Sequence, residues 1–161
     1  MRLPVLVAVL LIGLSAGRAG AMMPESMWDN TLDLINVAKM QAASNLIRDE
    51  KYPGAIKLLL QVVRSEPDNA DGWTLLAYSL RKSGDLAGAH EGYDKALALN
   101  PNHVYARQYL GELLLLEGDL SGAVEQLAVI TARCYGTCPP LDELTARIEE
   151  YKANQAAQPA G

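Results

Sequence analysis

The sequence predicts an all-α fold, a right-handed solenoid of about three helix-turn-helix repeats that a C-terminal capping helix closes. Three observations support this prediction. Two different short segments each recur 34 residues further along the chain, and this period is typical of stacked helical repeats. Apolar residues recur at helical spacing within each repeat. The segment after the last repeat shows the same spacing behind a pair of prolines.

The first 21 residues have the features of an export signal. Arg2 is the only charge ahead of an apolar run over residues 5–14, which is too short to cross the roughly 30 Å hydrocarbon core of a bilayer as a helix. Ala19, Gly20 and Ala21 then form a cleavage site of the A-x-A type. An uncleaved N-terminal anchor is the alternative, but no stop-transfer pattern extends the run. We therefore expect cleavage near Ala21 and a periplasmic or secreted mature chain.

The charge of the mature chain excludes two classes of partner. Loss of Arg2 and Arg18 with the signal leaves 12 basic against 19 acidic residues, a net charge of −7 with both histidines neutral. Nucleic-acid binding needs clustered lysine and arginine, and so does an anionic membrane surface. We expect a protein or peptide partner in the cell envelope, no nucleic acid, and no stable membrane insertion of the mature chain.

A short extension, residues 22–35, precedes the first repeat. Its apolar residues include Met27, Trp28, Leu32, Leu34 and Ile35. They are expected to lengthen the first helix at its N-terminal side and to act as a cap, because each end of a helical stack has an apolar face that must be covered.

The repeat is defined by two matching pairs of segments. Residues 83–89 (SGDLAGA) recur as residues 117–123 (EGDLSGA), and the same shift carries residues 66–69 (EPDN) onto residues 100–103 (NPNH). The first pair is expected to form the turn inside a repeat. The second is expected to end the second helix, since the residue before a proline avoids helical dihedrals.

These residues resemble the tetratricopeptide repeat (TPR), whose pattern is W-x2-L-G-x2-Y, then A-x3-F, then P. The middle copy offers Trp73, Leu76, Ala77 and Leu80 on its first helix, Ala89, Tyr93 and Ala96 on its second, and Pro101 at its end. The first and third copies are looser, with Lys39 and Arg107 in the tryptophan position. The resemblance covers residues 36–135 as three units. The units are residues 36–69, 70–103 and 104–135.

Small residues predict where helices approach each other and where they end. Ala77 and Gly111 are expected to face Ala89 and Ala123 of the partner helices, because small side chains let two backbones come close.

The turn inside each repeat carries its own signals. Gly84 and Gly118 fall where a first helix ends, and glycine tolerates the left-handed conformation that a helix C-terminus often needs. Asp85 and Asp119 follow them and are expected to accept hydrogen bonds from the free N–H groups of the next helix.

The resemblance implies a concave groove, lined by the first helix of each unit, that receives a peptide or a helix of another protein. The expected lining residues are Met40, Ser44, Ile47, Thr74, Tyr78, Arg81, Tyr105, Gln108, Tyr109 and Glu112. Tyrosine and arginine together are typical of binding hot spots, although an ordinary amphipathic exterior is the alternative interpretation. TPR proteins that clamp a C-terminal carboxylate carry groove Asn and Lys residues, whereas the matching Asn positions here hold Ser44, Tyr78 and Glu112. A clamp of that kind is not expected.

Cys134 and Cys138 are the only cysteines, and both lie in the exported part, where disulfides persist. Three intervening residues, one of them Gly136, can let the chain turn back far enough for a bridge. Such a bridge would fix the direction in which the capping helix leaves the third unit. Two alternatives stay open: a redox-active pair, and a copper site, because Cys-x3-Cys-Pro resembles the motif of Sco-type copper chaperones.

The chain is expected to close with a Cys-containing loop and capping helix over residues 136–153. This helix carries Leu141, Leu144, Ile148 and Tyr151 at helical spacing behind Pro139 and Pro140. Residues 154–161 have little to bury and are predicted to form a disordered tail.

The sequence shows no catalytic constellation. His90 is expected on an outward part of a second helix and His103 near the start of the next one, and neither stands at catalytic spacing from a carboxylate. There is no Ser-His-Asp set, phosphate-binding glycine loop or metal-ligand quartet, so neither a cofactor nor a metal is expected. The sequence predicts a non-enzymatic TPR adaptor or scaffold of the periplasm, with thiol-redox or copper handling through the cysteine pair as the alternative.

Overall fold

The computed structural model describes residues 25–157, and within that range it contains seven helices and no strand. The helices are α1 (Glu25–Arg48), α2 (Tyr52–Ser65), α3 (Ala70–Lys82), α4 (Leu86–Leu99), α5 (Val104–Leu116), α6 (Leu120–Arg133) and α7 (Pro139–Ala157). Three-residue turns join the helices within each pair, and four-residue turns join one pair to the next. Each pair packs on its neighbour, and α7 packs on α5 and α6. The prediction of an all-α helical repeat solenoid is confirmed.

The repeat signals act at the helix ends as the sequence predicts. Gly84 and Gly118 have φ angles of +91° and +87°, in the left-handed region. Asp85 and Asp119 cap α4 and α6, each accepting a backbone N–H through a carboxylate oxygen at 2.9 Å. His103 caps α5, since its Nδ1 accepts the N–H of Ala106 at 3.3 Å. Local sequence therefore sets the ends of these helices.

The core is divided among the interfaces between successive helices. One buried cluster joins α1, α2 and α3, a second joins α3, α4 and α5, and a third joins α5 and α6 to α7. Tyr93 of α4 is fully buried in the second cluster, and Leu144 of α7 is fully buried in the third. The helix α7 is thus part of the packed structure, as a capping helix must be.

The closest helix approaches differ from those expected. A Cβ at Gly92 would stand 2.9 Å from the Cβ of Ala77, so Gly92 marks a close contact between α3 and α4. The missing Cβ of Gly111 points at Leu144 of α7, 2.7 Å from a methyl carbon, and not at Ala123 as predicted. The reason is that α7 packs directly over α5, which the repeat register alone does not show.

Both termini of the described region differ from expectation. Residues 25–35 do lengthen α1, but Leu32, Leu34 and Ile35 are 53%, 70% and 44% exposed, so the interpretation of this segment as a cap is wrong. The segment projects beyond α2, whose 14 residues are too few to cover it. At the other end, α7 continues to Ala157, so residues 154–157 are helical where a disordered tail was predicted.

The export signal and residues 158–161 lie outside the described residues. Among residues 25–157, no helix combines the length and the apolar character that a membrane crossing requires.

We expect Gly92→Ala to lower the free energy of unfolding by about 1–3 kcal/mol, because the new methyl group would force two packed helix backbones apart. The nearest backbone atom, the Cα of Ala77, would be only 3.3 Å away. This loss outweighs the roughly 1 kcal/mol that alanine gains over glycine inside a helix. Urea denaturation measures the difference. Gly54→Ala is the control, since there the new Cβ meets only the end of the Leu46 side chain, at 3.2 Å. A Gly92→Ala protein as stable as the parent would disprove the close approach.

Candidate functional site

The first helices of the three units, α1, α3 and α5, together line a cleft. We call it the apolar cleft, and its lining is Met40, Asp71, Thr74, Leu75, His103, Tyr105 and Tyr109. Its volume is about 350 Å³, which lies within the usual range for ligand-binding pockets. Because one side comes from α1 and the other from α5, the cleft spans all three repeats. This is the concave surface on which the sequence places the groove.

Four tyrosines form a continuous row across this surface, in the order Tyr52, Tyr78, Tyr109 and Tyr105. Successive ring centroids are 6.5, 4.8 and 6.3 Å apart, and the ring planes are tilted by 61°, 55° and 41°. Tyr105 is 46% exposed, and the other three are half-buried. None of the four hydroxyls forms a hydrogen bond with another group between residues 25 and 157. This tyrosine row therefore presents ring faces and free hydroxyls to the groove.

Burial raises the pKa of two hydroxyls of the row, those of Tyr78 and Tyr109. Desolvation raises the pKa of Tyr109 to about 12, and the neighbouring Tyr78 acts in the same direction. The pKa of Tyr78 is also raised, first by burial and then by Tyr52. These two hydroxyls can therefore donate a hydrogen bond to a bound molecule at any pH near neutrality.

A buried ion pair between Arg81 and Glu112 lies beside Tyr78 in the groove. Arg81 Nη2 lies 2.7 Å from Glu112 Oε2, with the two side chains only 7% and 15% exposed. Gln108 donates to the second carboxylate oxygen of Glu112 at 2.9 Å, and the Arg81 guanidinium stands 5.4 Å from the centre of the Tyr78 ring. The pair joins α3 to α5 and fixes the distance between the helices that carry Tyr78 and Tyr109.

Not every polar atom in this region has a partner. Arg81 Nε and the Tyr93 hydroxyl are buried without a hydrogen bond inside the described part of the chain. The two side chains are neighbours, and burial raises the pKa of Tyr93 despite the opposing effect of Arg81. The interaction of Arg81 with Glu112 therefore has to offset a real desolvation cost.

His103 resembles part of a catalytic set but lacks its geometry. Its Nε2 lies 2.9 Å from Asp71 Oδ1 and 3.4 Å from Thr74 Oγ1. Because Nδ1 accepts the N–H of Ala106, the proton of a neutral ring sits on Nε2 and points at the carboxylate. The Thr74 hydroxyl donates to the Ala70 carbonyl. The ring thus has no free nitrogen with which to take a proton from Thr74, and the cluster serves to cap α5.

Comparison with known proteins identifies the family. Two family models described as tetratricopeptide repeat match the chain, one over residues 40–91 and the other over residues 80–148. The chain is a tetratricopeptide-repeat protein. Both matches lie within the helix pairs and α7 described above.

The TPR chain is similar to one curated protein, FlbA of Caulobacter vibrioides, at 30% identity over 84 residues. The match covers 52% of this chain and 14% of the length of FlbA.

Two solved structures show the same fold. The first TPR domain of Spaghetti (RPAP3), bound to the HSP90 peptide SRMEEVD, superposes with a TM-score of 0.65 at 17% identity, over 76% of this chain and 94% of that one. The type III secretion chaperone SycD of Yersinia enterocolitica, in complex with a peptide of the translocator YopD, gives a TM-score of 0.64 at 18% identity, over 78% and 95% of the two chains. At these identities the likeness concerns the fold alone.

Nine of the ten groove residues that the TPR pattern suggests line three hollows. Met40, Thr74, Tyr105 and Tyr109 line the apolar cleft. Tyr78, Arg81, Gln108, Tyr109 and Glu112 line a second hollow, which we call the polar cleft, together with Pro139, Glu143 and Arg147 of α7. Ser44 lies with Met40 in a third hollow near the start of the stack. Ile47 packs against the first buried cluster and lines none of these three.

Burial divides the same residues by role. Thr74, Arg81 and Gln108 are 2%, 9% and 6% exposed, and each one bonds to a neighbouring group of the protein. They hold the walls of the groove in place, whereas the tyrosines leave part of their surface accessible.

Sequence reasoning missed several lining residues of the TPR groove. Asp71, Leu75 and Lys82 extend the stripe of Thr74 and Tyr78 along α3 at helical spacing, so a fuller count of that helix face would have found them. Tyr52 was overlooked because it belongs to a second helix. The α7 residues in the polar cleft had no sequence signal, since their place depends on how the capping helix packs.

The cysteine pair lies at the junction of α6 and α7. The Cα atoms of Cys134 and Cys138 are 5.9 Å apart, which is within the range a disulfide requires, and the sulfur atoms lie against each other. Cys138 is 8% exposed and packs with Leu144 in the third cluster, and Cys134 is the C-cap of α6. Between residues 25 and 157 no group of three or more His, Cys, Asp or Glu side chains is arranged to hold a metal ion.

Proposed function

We propose that this TPR protein is a non-catalytic adaptor or scaffold of the bacterial periplasm that holds a partner protein or peptide in its concave groove. The observation that supports it most is the tyrosine row, four aromatic side chains with unpartnered hydroxyls beside a cleft formed by all three repeats. Aromatic residues clustered at the centre of a concave surface are the usual energetic centre of a protein interface. Peptide binding by TPR domains of similar fold agrees with this use of the groove.

The periplasmic location rests on the sequence of the first 21 residues, and the assignment to an adaptor rests on the fold and the groove. TPR folds are typically scaffolds, and the one histidine-carboxylate cluster in the groove caps a helix.

We also propose that Cys134 and Cys138 form a structural disulfide rather than a redox or copper site. A reactive thiol needs access to its substrate and a stabilised thiolate. Cys138 is buried, and Cys134 stands at the C-terminus of α6, where the helix dipole disfavours negative charge. A disulfide at this position fixes the direction in which α7 leaves the third unit.

We expect Tyr105→Ala to weaken partner recovery from the periplasmic fraction roughly ten-fold, the loss typical of removing one hot-spot aromatic. Tyr105 is exposed and outside the buried clusters, so the variant should remain folded. Tyr135→Ala is the matched control, because Tyr135 is 91% exposed on the cysteine loop and distant in sequence from the row. Quantitative pull-down with each variant measures the effect. Equal recovery by both variants would place the binding surface elsewhere.

A further inference from the structure

The tyrosine row is more specific than a general protein-binding surface. The four hydroxyls are donors without acceptors in the described chain, and successive rings are tilted against each other rather than stacked face to face. A ligand that satisfies this surface must bring a series of free acceptors, together with apolar groups that pack on the accessible ring faces.

An α-helical ligand does not meet the first requirement. Apart from those in its last turn, the carbonyls of a helix are already bonded within the helix. A polyproline II segment has no internal hydrogen bonds, so each of its carbonyls can accept. Proline also carries no N–H that would need an acceptor from the groove, and its ring packs well on aromatic faces.

Two exposed charged side chains of α3, Asp71 and Lys82, lie beside the row. Asp71 lines the same cleft as Tyr105, and its side chain is 79% exposed. Lys82 lies 6.0 Å from the centre of the Tyr78 ring and forms no ion pair within residues 25–157. The other two cations of the polar cleft, Arg81 and Arg147, are paired with glutamates. Asp71 accepts a hydrogen bond from the His103 ring at 2.9 Å, but its carboxylate is largely exposed. The groove therefore has an accessible negative charge near Tyr105 and an unpaired positive charge near Tyr78.

The separation of these charges sets a length. Asp71 and Lys82 are eleven residues apart on α3, which corresponds to about 16 Å along a helix rising 1.5 Å per residue. A polyproline II chain rises about 3.1 Å per residue, so about five residues cover that distance.

We propose that the ligand of the groove is an extended, proline-rich segment of the partner, carrying a basic and an acidic residue about five residues apart. The basic residue pairs with Asp71 and the acidic residue with Lys82, while the prolines between them lie on the tyrosine row. This inference rests on the proposed function, because it names the kind of segment that the groove holds.

Isothermal titration calorimetry with synthetic peptides tests the inference. The first probe is the peptide KPPPPE with blocked ends. The comparison probes are EPPPPE, the shorter KPPE and an amphipathic helical peptide about four turns long. We expect the first probe to bind the protein, and the other three to bind at least several-fold more weakly, because each lacks the charge, the length or the free carbonyls that the groove requires.

Variants of the protein test whether the first probe binds at the tyrosine row. Tyr78→Phe removes one hydroxyl and keeps the ring, and we expect it to weaken binding of the first probe about 2- to 10-fold, the value of one net hydrogen bond. Lys82→Gln removes the positive charge that the acidic end of the first probe would pair with, and it should weaken binding of that probe several-fold. Tyr135→Phe is the control and should change nothing.

The results separate this inference from the proposed function. Binding of the helical peptide in the groove, with no binding of KPPPPE, would overturn the proline-rich ligand and leave an adaptor that uses the same surface. Equal binding of KPPPPE to the parent protein and to Tyr78→Phe would also overturn it. If no peptide binds, and Tyr105→Ala recovers the partner as well as the parent does, both the inference and the proposed groove fail.

Discussion

Replacing Arg81 with alanine should lower the free energy of unfolding by about 3–5 kcal/mol, the usual loss when one partner of a buried ion pair is removed. The Arg81 side chain is only 7% exposed and bridges α3 to Glu112 of α5 at 2.7 Å. Without it, Glu112 keeps one bond from Gln108 but loses its counter-charge. Because the Glu112 side chain retains 15% exposure, we expect the lower half of that range.

Chemical denaturation of three variants beside the parent protein measures this effect. Lys82→Ala is the neighbouring control, and we expect a change within about 0.5 kcal/mol, as at other surface positions. The double variant Arg81→Met, Glu112→Leu removes both charges and should recover most of the lost stability, since an apolar pair avoids the desolvation cost. A loss below about 1 kcal/mol in Arg81→Ala would show that the pair is solvated and does not connect the helices.

Because Arg81 is buried, its substitution affects the stability of the protein as well as binding to the groove. The sequence presents Arg81 as part of a binding set, but its burial makes it a support for Tyr78 and Tyr109. A loss of binding in Arg81→Ala would therefore mix unfolding with recognition. Tyr105 and Tyr78 are the positions at which binding can be tested without that ambiguity.

Leu144→Ala should destabilise the protein by about 2–5 kcal/mol, as expected for a fully buried leucine. Leu144 fills the space that Gly111 leaves open on α5, so its removal creates a cavity directly under α7. The capping helix also contributes Glu143 and Arg147 to the polar cleft. Loosening α7 therefore alters one end of the groove as well as the C-terminal end of the stack.

Hydrogen exchange measured by mass spectrometry, together with denaturation, checks this prediction. We expect faster exchange over α7 in Leu144→Ala while α3 and α4 keep their protection, because stability in a repeat stack is largely a matter of neighbouring units. Leu116→Ala is the control, since Leu116 is 66% exposed. Unchanged exchange over α7 would show that this leucine does not anchor the cap.

The sequence predicts the repeat units well because their signals are local. Gly84 and Gly118 need a left-handed backbone, and Asp85 and Asp119 supply an acceptor within three residues, so both effects depend only on the nearest neighbours. A 34-residue period then places equivalent helices in equivalent positions.

The errors concern features that depend on packing between distant segments. Gly111 faces Leu144, 33 positions later, because α7 lies across α5, and no periodicity indicates that crossing. The apolar residues of the extension have helical spacing, yet within residues 25–157 no helix covers Leu34. Spacing shows that a segment is helical and amphipathic, but not what it packs against.

The sequence predicts only part of the tyrosine row. Tyr78, Tyr105 and Tyr109 follow from the inward face of the first helices, whereas Tyr52 joins the row from the start of α2. Only the exposed fraction of each side chain separates residues that support the groove walls from residues that are accessible in the groove. The sequence does not give this fraction.

Site-specific photo-crosslinking in cells tests the central claim most directly. A photoreactive amino acid at Tyr105 lies on the row, and the same amino acid at the exposed Asp94 of α4 lies on a second helix away from it. The proposed groove predicts a discrete crosslinked partner from position 105 and none from position 94. The same partner crosslinked equally from both positions, or from position 94 alone, would contradict a binding site in the concave groove.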